Sequence, residues 1–131
     1  MAKRSDVRSI ALSLPAVEQN PERFAFAVKV KGKLKGFAWV WMERLDPKKP
    51  RVPNPGVLAV RVASLAERDN LIANHPKKFF TEPHYKGFPA VLVRLAAVRS
   101  RELERLIVDA WRCQASKDLL AIPENHRREE Q

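Results

Sequence analysis

The segment from Phe24 to Met42, FAFAVKVKGKLKGFAWVWM, decides how the rest of the chain is read. In its first limb Phe24, Phe26, Val28 and Val30 alternate with Ala25, Ala27, Lys29 and Lys31, the period of two of a strand with one buried face. In its second limb Phe37, Trp39 and Trp41 alternate with Ala38, Val40 and Met42. Gly32-Lys33, with glycine at the first central position, predicts a type II′ turn pairing Lys31 with Leu34, Val28 with Phe37, Phe26 with Trp39 and Phe24 with Trp41. That register gathers every aromatic side chain of the hairpin on one face. A slip of one residue would set Phe37 opposite Ala27 and Trp39 opposite Ala25, splitting the aromatics between core and solvent, so the first register is expected.

Upstream of the hairpin, Ser5 is placed to cap a helix in which Val7, Ile10, Ala11 and Leu14 recur at helical spacing, and Pro15 ends it. Residues 16–23 read as a connector with Asn20-Pro21 as its turn signal. Downstream, Pro47, Pro50, Pro53 and Pro55 crowd residues 43–56 together with Lys48, Lys49 and Arg51, which predicts an exposed, stiff loop. Val57 to Val62 is nearly all apolar and is expected as a central strand. Ser64 and Glu67 make a capping box for a second helix that ends at His75-Pro76 and has a thin apolar stripe of Leu65, Leu71 and Ile72.

Phe79 to Thr81 and Ala90 to Leu95 read as short strands, with Glu82 to Pro89 turning between them. Ser100 caps the clearest helix of the chain, whose stripe is Leu103, Leu106, Ile107, Ala110 and Trp111. Its outer face carries Glu102, Arg105, Asp109 and Arg112, which compensate one another and make a poor phosphate site. Ser116 to Ile122 adds one more helical turn. The expected fold class is α+β: two layers, an antiparallel sheet of about five strands with helices packed on one face, in the order α-β-β-β-α-β-β-α. Residues 1–122 are expected to form a single domain and residues 123–131 a frayed tail.

A chain of 131 residues is one domain by length, and 45% apolar with 31% charged residues is the composition of a folded chain rather than a disordered one. No apolar run approaches the ~18 residues of a membrane span and the N-terminus lacks a signal-peptide core, so a cytoplasmic protein without a membrane partner is expected. The lone Cys113 forbids an internal disulfide and is expected as a small buried hydrophobe. The histidines at 75, 84 and 126 and the single cysteine do not cluster, so no metal is expected. The four glycines are ungrouped, which leaves no phosphate loop, and no cofactor is expected.

Charge is the unusual feature: 25 Lys and Arg against 15 Asp and Glu, a formal net charge of +10. Residues 1–45 hold nine basic and four acidic side chains, whereas residues 101–131 hold six and seven, so the excess lies ahead of the last helix. A field of that sign favours polyanions.

The string Phe79-Phe80-Thr81-Glu82-Pro83-His84-Tyr85-Lys86-Gly87, followed by Pro89-Ala90-Val91-Leu92-Val93-Arg94-Leu95, resembles the MmcQ/YjbR family. Ala11-Leu12-Ser13-Leu14-Pro15, Val30-Lys31-Gly32-Lys33, Leu58-Ala59-Val60-Arg61-Val62 and Asp109-Ala110-Trp111-Arg112 agree with it, so the resemblance covers nearly residues 5–120. It implies a small bacterial protein with a compact α+β fold similar to the frataxin-like (CyaY-like) and secretion-chaperone-like architectures, in a family commonly labelled DNA-binding. Ala115-Ser116-Lys117-Asp118 departs from the family's frequent Ala-Pro-Lys followed by a basic residue, and leaves that end without the second cation.

Lys29, Lys31, Lys33 and Lys35 surround the hairpin turn, and Lys48, Lys49 and Arg51 lie in the loop that leaves the same hairpin. Several long cations on a projecting element are what phosphate contact requires, so these seven form the candidate nucleic-acid site. Edge lysines also block aggregation, which is the structural alternative. Thr81, His84, Tyr85 and Lys86 form a signature of either functional or structural role, His84 being of a residue type that can act as acid or base and Tyr85 able to stack on a nucleobase. The leading expectation is a non-catalytic, sequence-tolerant DNA-binding module, with RNA as the other polyanion, acting as a monomer or weak homodimer. A protein-interaction module with an exposed apolar patch is the alternative, and an enzyme using His84 and Tyr85 would need a concave pocket beside them.

Overall fold

The hairpin forms, but its turn is built differently from the expectation. In the computed structural model, which describes residues 2–121, β2 (Ala25–Val30) and β3 (Lys33–Glu43) are antiparallel and Val30 pairs with Lys33. The central turn residues are therefore Lys31 and Gly32, both left-handed with φ of 52° and 80°, as in a type I′ turn. A β-bulge follows, because Ala27 pairs with Gly36 while Phe26 pairs with Ala38. Phe37 is the extra residue, so Phe37 and Ala38 both turn toward the helices and the phase of the strand reverses.

Beyond the bulge Trp39 stands opposite Ala25, and the expected single aromatic face is overturned. Phe24, Phe26 and Phe37 lie under the helices, whereas Trp39 and Trp41 point to the other side of the sheet. Packing gives the reason. Fully buried Ala38 lets a helix settle directly on β3, where an indole at that place would hold it off.

The sheet has six antiparallel strands in the order β1-β2-β3-β4-β6-β5. Here β1 is Val17–Gln19, β4 Val52–Arg61, β5 Phe79–Phe80 and β6 Ala90–Arg94. The α+β class and the helices on one face stand as expected; β1, inside the supposed connector, is the added strand. β4 also begins earlier than expected, within the proline-rich segment. There, residues Val52–Asn54 pair with β3 alone, since β6 reaches only Val57–Arg61, and a strand open on one side tolerates Pro53.

The helices are α1 (Arg4–Leu12), α2 (Leu65–Asn74), α3 (Ser100–Gln114) and the short α4 (Lys117–Leu120). Ser64 Oγ caps α2 by accepting the Glu67 N–H at 3.1 Å. The other two long helices are not capped by their serines: α1 starts one residue ahead of Ser5 and α3 at Ser100 itself, and the Lys3 and Arg99 N–H groups just before them donate to the Asp6 and Glu102 carboxylates at 2.9 and 3.1 Å. The expected helical turn after Ser116 is α4, capped by Ser116 itself, while Ile122 and the expected tail lie outside the described residues.

Fully buried Leu103, Ile107, Ala110 and Trp111 of α3 pack with Val7 and Ala11 of α1 over Phe26, Val28, Phe37, Leu58 and Val60. Burying each larger side chain stabilises the fold by about 1.5–3 kcal/mol. The Trp111 indole N–H donates to the Pro15 carbonyl at 3.1 Å, tying α3 to the turn between α1 and β1. A smaller apolar cluster occupies the opposite face of the sheet, where Trp41, Val57, Ala59 and Leu92 meet Trp39, Phe80 and Tyr85. The segment between β5 and β6 packs against Trp39, which stays half-buried, while Trp41 is buried against Phe80.

Candidate nucleic-acid interface

The strand registers make the hairpin tip a projection. β1 pairs with β2 no farther toward the turn than Val28, and β4 pairs with β3 no farther than Ala38. From Val30 to Gly36 the two limbs therefore have only each other in the ladder. Lys29, Lys31, Lys33 and Lys35 are all exposed. Lys29 lies 3.8 Å from Glu18, with both side chains more than half exposed, so their attraction is weak. Lys31, Lys33 and Lys35 have no carboxylate within ion-pair distance among the described residues.

The proline-rich loop sits elsewhere. It leaves β3 at Glu43, ten residues from Lys33, so at about 3.3 Å per residue roughly 30 Å of strand separates the two basic groups. The expectation that one surface gathers all seven cations is corrected accordingly. Lys48 and Lys49 are exposed in a loop held by Arg44, whose guanidinium donates to the carbonyls of Pro47 and Lys49 at 3.2 and 3.0 Å. Arg51 is half-buried: it donates to the Met42 carbonyl at 2.9 Å and pairs with Glu82 at 3.5 Å, a fold contact that occupies its charge.

The signature segment is fastened from α2. Arg68, 7% exposed, donates from one terminal nitrogen to the carbonyls of Tyr85, Lys86 and Phe88 at 2.8, 3.1 and 3.3 Å. This residue escaped the sequence reading, although a signal existed. Arg68 falls at helical spacing from Leu71 and Ile72, which pack on the core, and a guanidinium on that side of α2 requires buried acceptors. Thus held, Pro83–Tyr85 form one 3₁₀ turn. Tyr85 Oη accepts the Trp39 indole N–H at 3.1 Å, and Phe88 packs edge-on to Trp39 at 6.1 Å. Thr81, His84 and Lys86 are exposed, and the His84 ring lies 5.8 Å from that of Tyr85.

Between this segment and the hairpin, the helix-free face of the sheet carries a cleft of about 490 Å³. Ala25, Ala27, Leu34 and Gly36 give it a low apolar floor, with Trp39, Tyr85 and His84 at one wall and Glu18, Gln19, Asn20 and Arg23 at the other. Lys29 pairs directly with Leu34 in the ladder, so the cleft runs toward the basic tip.

Cys113 is exposed, not buried as expected, because it lies off the inward stripe of α3 and faces a groove toward α2. Local burial still pushes its thiol above the ordinary value; Glu67 and Asp109 act in the same direction and Arg61 against it. A thiol so protonated is a weak nucleophile. No helix among the described residues is long and apolar enough to cross a membrane.

Comparison with known proteins places this architecture. The chain is 37% identical over 121 residues to the uncharacterized proteins Rv2570 of Mycobacterium tuberculosis and Mb2600 of Mycobacterium bovis, covering 92% of this chain and 94% of each relative. Its fold is similar to the crystal structure of Deinococcus radiodurans protein DR2400, of domain family DUF419. That likeness has a TM-score of 0.66 at 21% identity, over 98% of this chain and 88% of that one. The YjbR family model matches residues 12–113, a span that includes the hairpin, the Arg68-fastened segment and all of α3 but its last residue, and the chain belongs to the MmcQ/YjbR family.

Proposed function

We propose that the protein binds DNA in a sequence-tolerant manner without catalysing a reaction on it, the phosphates lying against the projecting hairpin. The observation that carries this reading is the tip itself. Lys31, Lys33 and Lys35 are exposed and lack ion-pair partners among the described residues, on two limbs that stand clear of the rest of the sheet. Such cations exchange condensed counterions for protein contacts, which supplies affinity without reading bases. The formal charge of +10 adds long-range attraction, and Lys48 and Lys49 offer a second, separate contact.

The cleft beside His84 and Tyr85 supports the non-catalytic part of the reading. Tyr85 accepts from Trp39, and the nearby Glu82 carboxylate pairs with Arg51. His84 has no hydrogen bond to a carboxylate among the described residues, so the wall offers no assembled acid–base pair.

Fluorescence anisotropy of labelled duplex DNA, single-stranded DNA and RNA tests the proposal, with wild type beside a variant carrying Lys31→Glu, Lys33→Glu and Lys35→Glu. Micromolar DNA binding that the variant loses is the expected result. Absence of DNA binding at low salt would overturn it and favour a protein partner, for which Leu34, 59% exposed at the tip, is the apolar contact.

A further inference from the structure

Gly36 flanks the bulge at Phe37 and its carbonyl accepts the Gln114 side-chain amide at 3.0 Å, but neither feature fills the space where a side chain would stand. The φ of Gly36 is not left-handed, and a Cβ built on it meets no atom within 4 Å. A glycine inside a strand weakens the strand, and its usual reasons are a bulge, a special backbone angle or the close approach of another group. What its missing side chain does is keep the cleft floor low beside Ala27, its ladder partner.

The wall that faces this floor is aromatic and rigid. The Trp39–Tyr85 hydrogen bond fixes both rings, and Arg68 fixes the backbone that carries Tyr85. The charged side chains lining the cleft balance, Arg23 and Arg51 against Glu18 and Glu82, so it does not concentrate anions as the hairpin tip does. Its far rim shows donors. Gln19 and Asn20 engage their carboxamide oxygens with Arg8 and the Glu22 N–H, which leaves their NH2 groups to donate. A low apolar floor, an aromatic wall and neutral amide donors suit a flat heteroaromatic ring bearing carbonyl oxygens. The volume is that of a small-ligand pocket.

We propose that this cleft receives an unpaired nucleobase of a single strand, whose phosphates continue onto Lys29 and the hairpin tip. The inference rests on the DNA reading above for the strand, and adds to it a preference for unstacked bases over paired ones. Stacking on an aromatic wall strengthens binding by roughly 5- to 150-fold per base.

The test compares a short oligothymidylate with an abasic strand of equal length, each titrated against wild type, Gly36→Leu, Ala27→Leu and the triple Lys→Glu variant. Wild type is expected to prefer the thymidylate by about tenfold or more. Either floor-filling variant should erase that preference while keeping the affinity for the abasic strand; two are used in case one disturbs folding, which thermal melting reports. The lysine variant should weaken both strands together. Equal wild-type affinity for the two strands would overturn the cleft assignment and leave the phosphate reading intact. If neither strand binds, the phosphate reading fails. Thymidine alone then decides the cleft: quenching of wild-type tryptophan fluorescence that Gly36→Leu abolishes supports it, and no quenching overturns it.

Discussion

Arg68→Ala should unfasten the segment that carries the cleft wall. One terminal nitrogen of Arg68 meets three carbonyls, and its two protons can satisfy about two of them fully at once. Hydrogen bonds to a charged group contribute about 1.5–3 kcal/mol each, an upper sum of roughly 3–6 kcal/mol. Lys86 and Phe88 are exposed, so water recovers part of this when the side chain is removed. The Asp69 contact adds little, because that carboxylate side chain is 63% exposed. The expected loss is therefore about 2–4 kcal/mol, a fall of roughly 1–3 M in the urea midpoint for a domain of this size. Urea unfolding followed by tryptophan fluorescence measures it, with Arg68→Lys as the control that keeps charge without the guanidinium fork. A loss below about 0.5 kcal/mol would refute the reasoning, since a buried guanidinium with three acceptors would then contribute no more than a surface cation.

Lys31→Asn separates folding from binding: asparagine accepts the left-handed turn more readily than lysine, so thermal melting should show about 0.5–1 kcal/mol of added stability while DNA affinity falls. Trp111→Phe removes the indole N–H that the Pro15 carbonyl accepts inside the core, and chemical denaturation should show a loss of about 1–3 kcal/mol. Glu102→Gln tests a pH effect. The Lys78 ammonium, 2.6 Å away, and then the Arg99 N–H hold the Glu102 carboxyl below its usual value of 4.5. A carboxyl lowered in the folded state stabilises fully above its unfolded value, and that contribution disappears as pH falls through the lowered one. Wild type should thus exceed the variant by up to ~1 kcal/mol near neutrality, given the partial exposure of both side chains, and the gap should close in acid. A gap that is constant with pH would contradict the assignment.

Much of the fold was legible because its signals are local. Ser64 with Glu67, the α3 stripe and the alternation in each limb of the hairpin point to their elements without help from distant parts of the chain. The register was not, because a period-two reading carried through Gly36 assumes an unbroken strand. The bulge at Phe37 reverses the phase there, and the choice depends on how closely α3 approaches Ala38, which no local pattern contains. β1 is too short for periodicity to reveal and exists by pairing with β2. At the site, the lysines could be read as cations, but not that three lack partners while Arg51 is occupied by Glu82. Their separation from Lys48 and Lys49 follows from the length of β3, which spans Lys33 to Glu43 between the two basic groups. The cleft needed Arg68, Trp39 and Tyr85 brought together across 17 and 46 residues of sequence, a tertiary fact that the string around His84 only hinted at.

The slope of DNA affinity against salt tests the phosphate-contacting hairpin most directly. For duplex DNA, log K should fall with log salt at about 0.9 per phosphate neutralised. Replacing Lys31, Lys33 and Lys35 together by glutamine should therefore reduce the magnitude of the slope by about 2 to 3 units if all three contact phosphates. An unchanged slope in the substituted protein would contradict the hairpin as the contact, whatever the affinity.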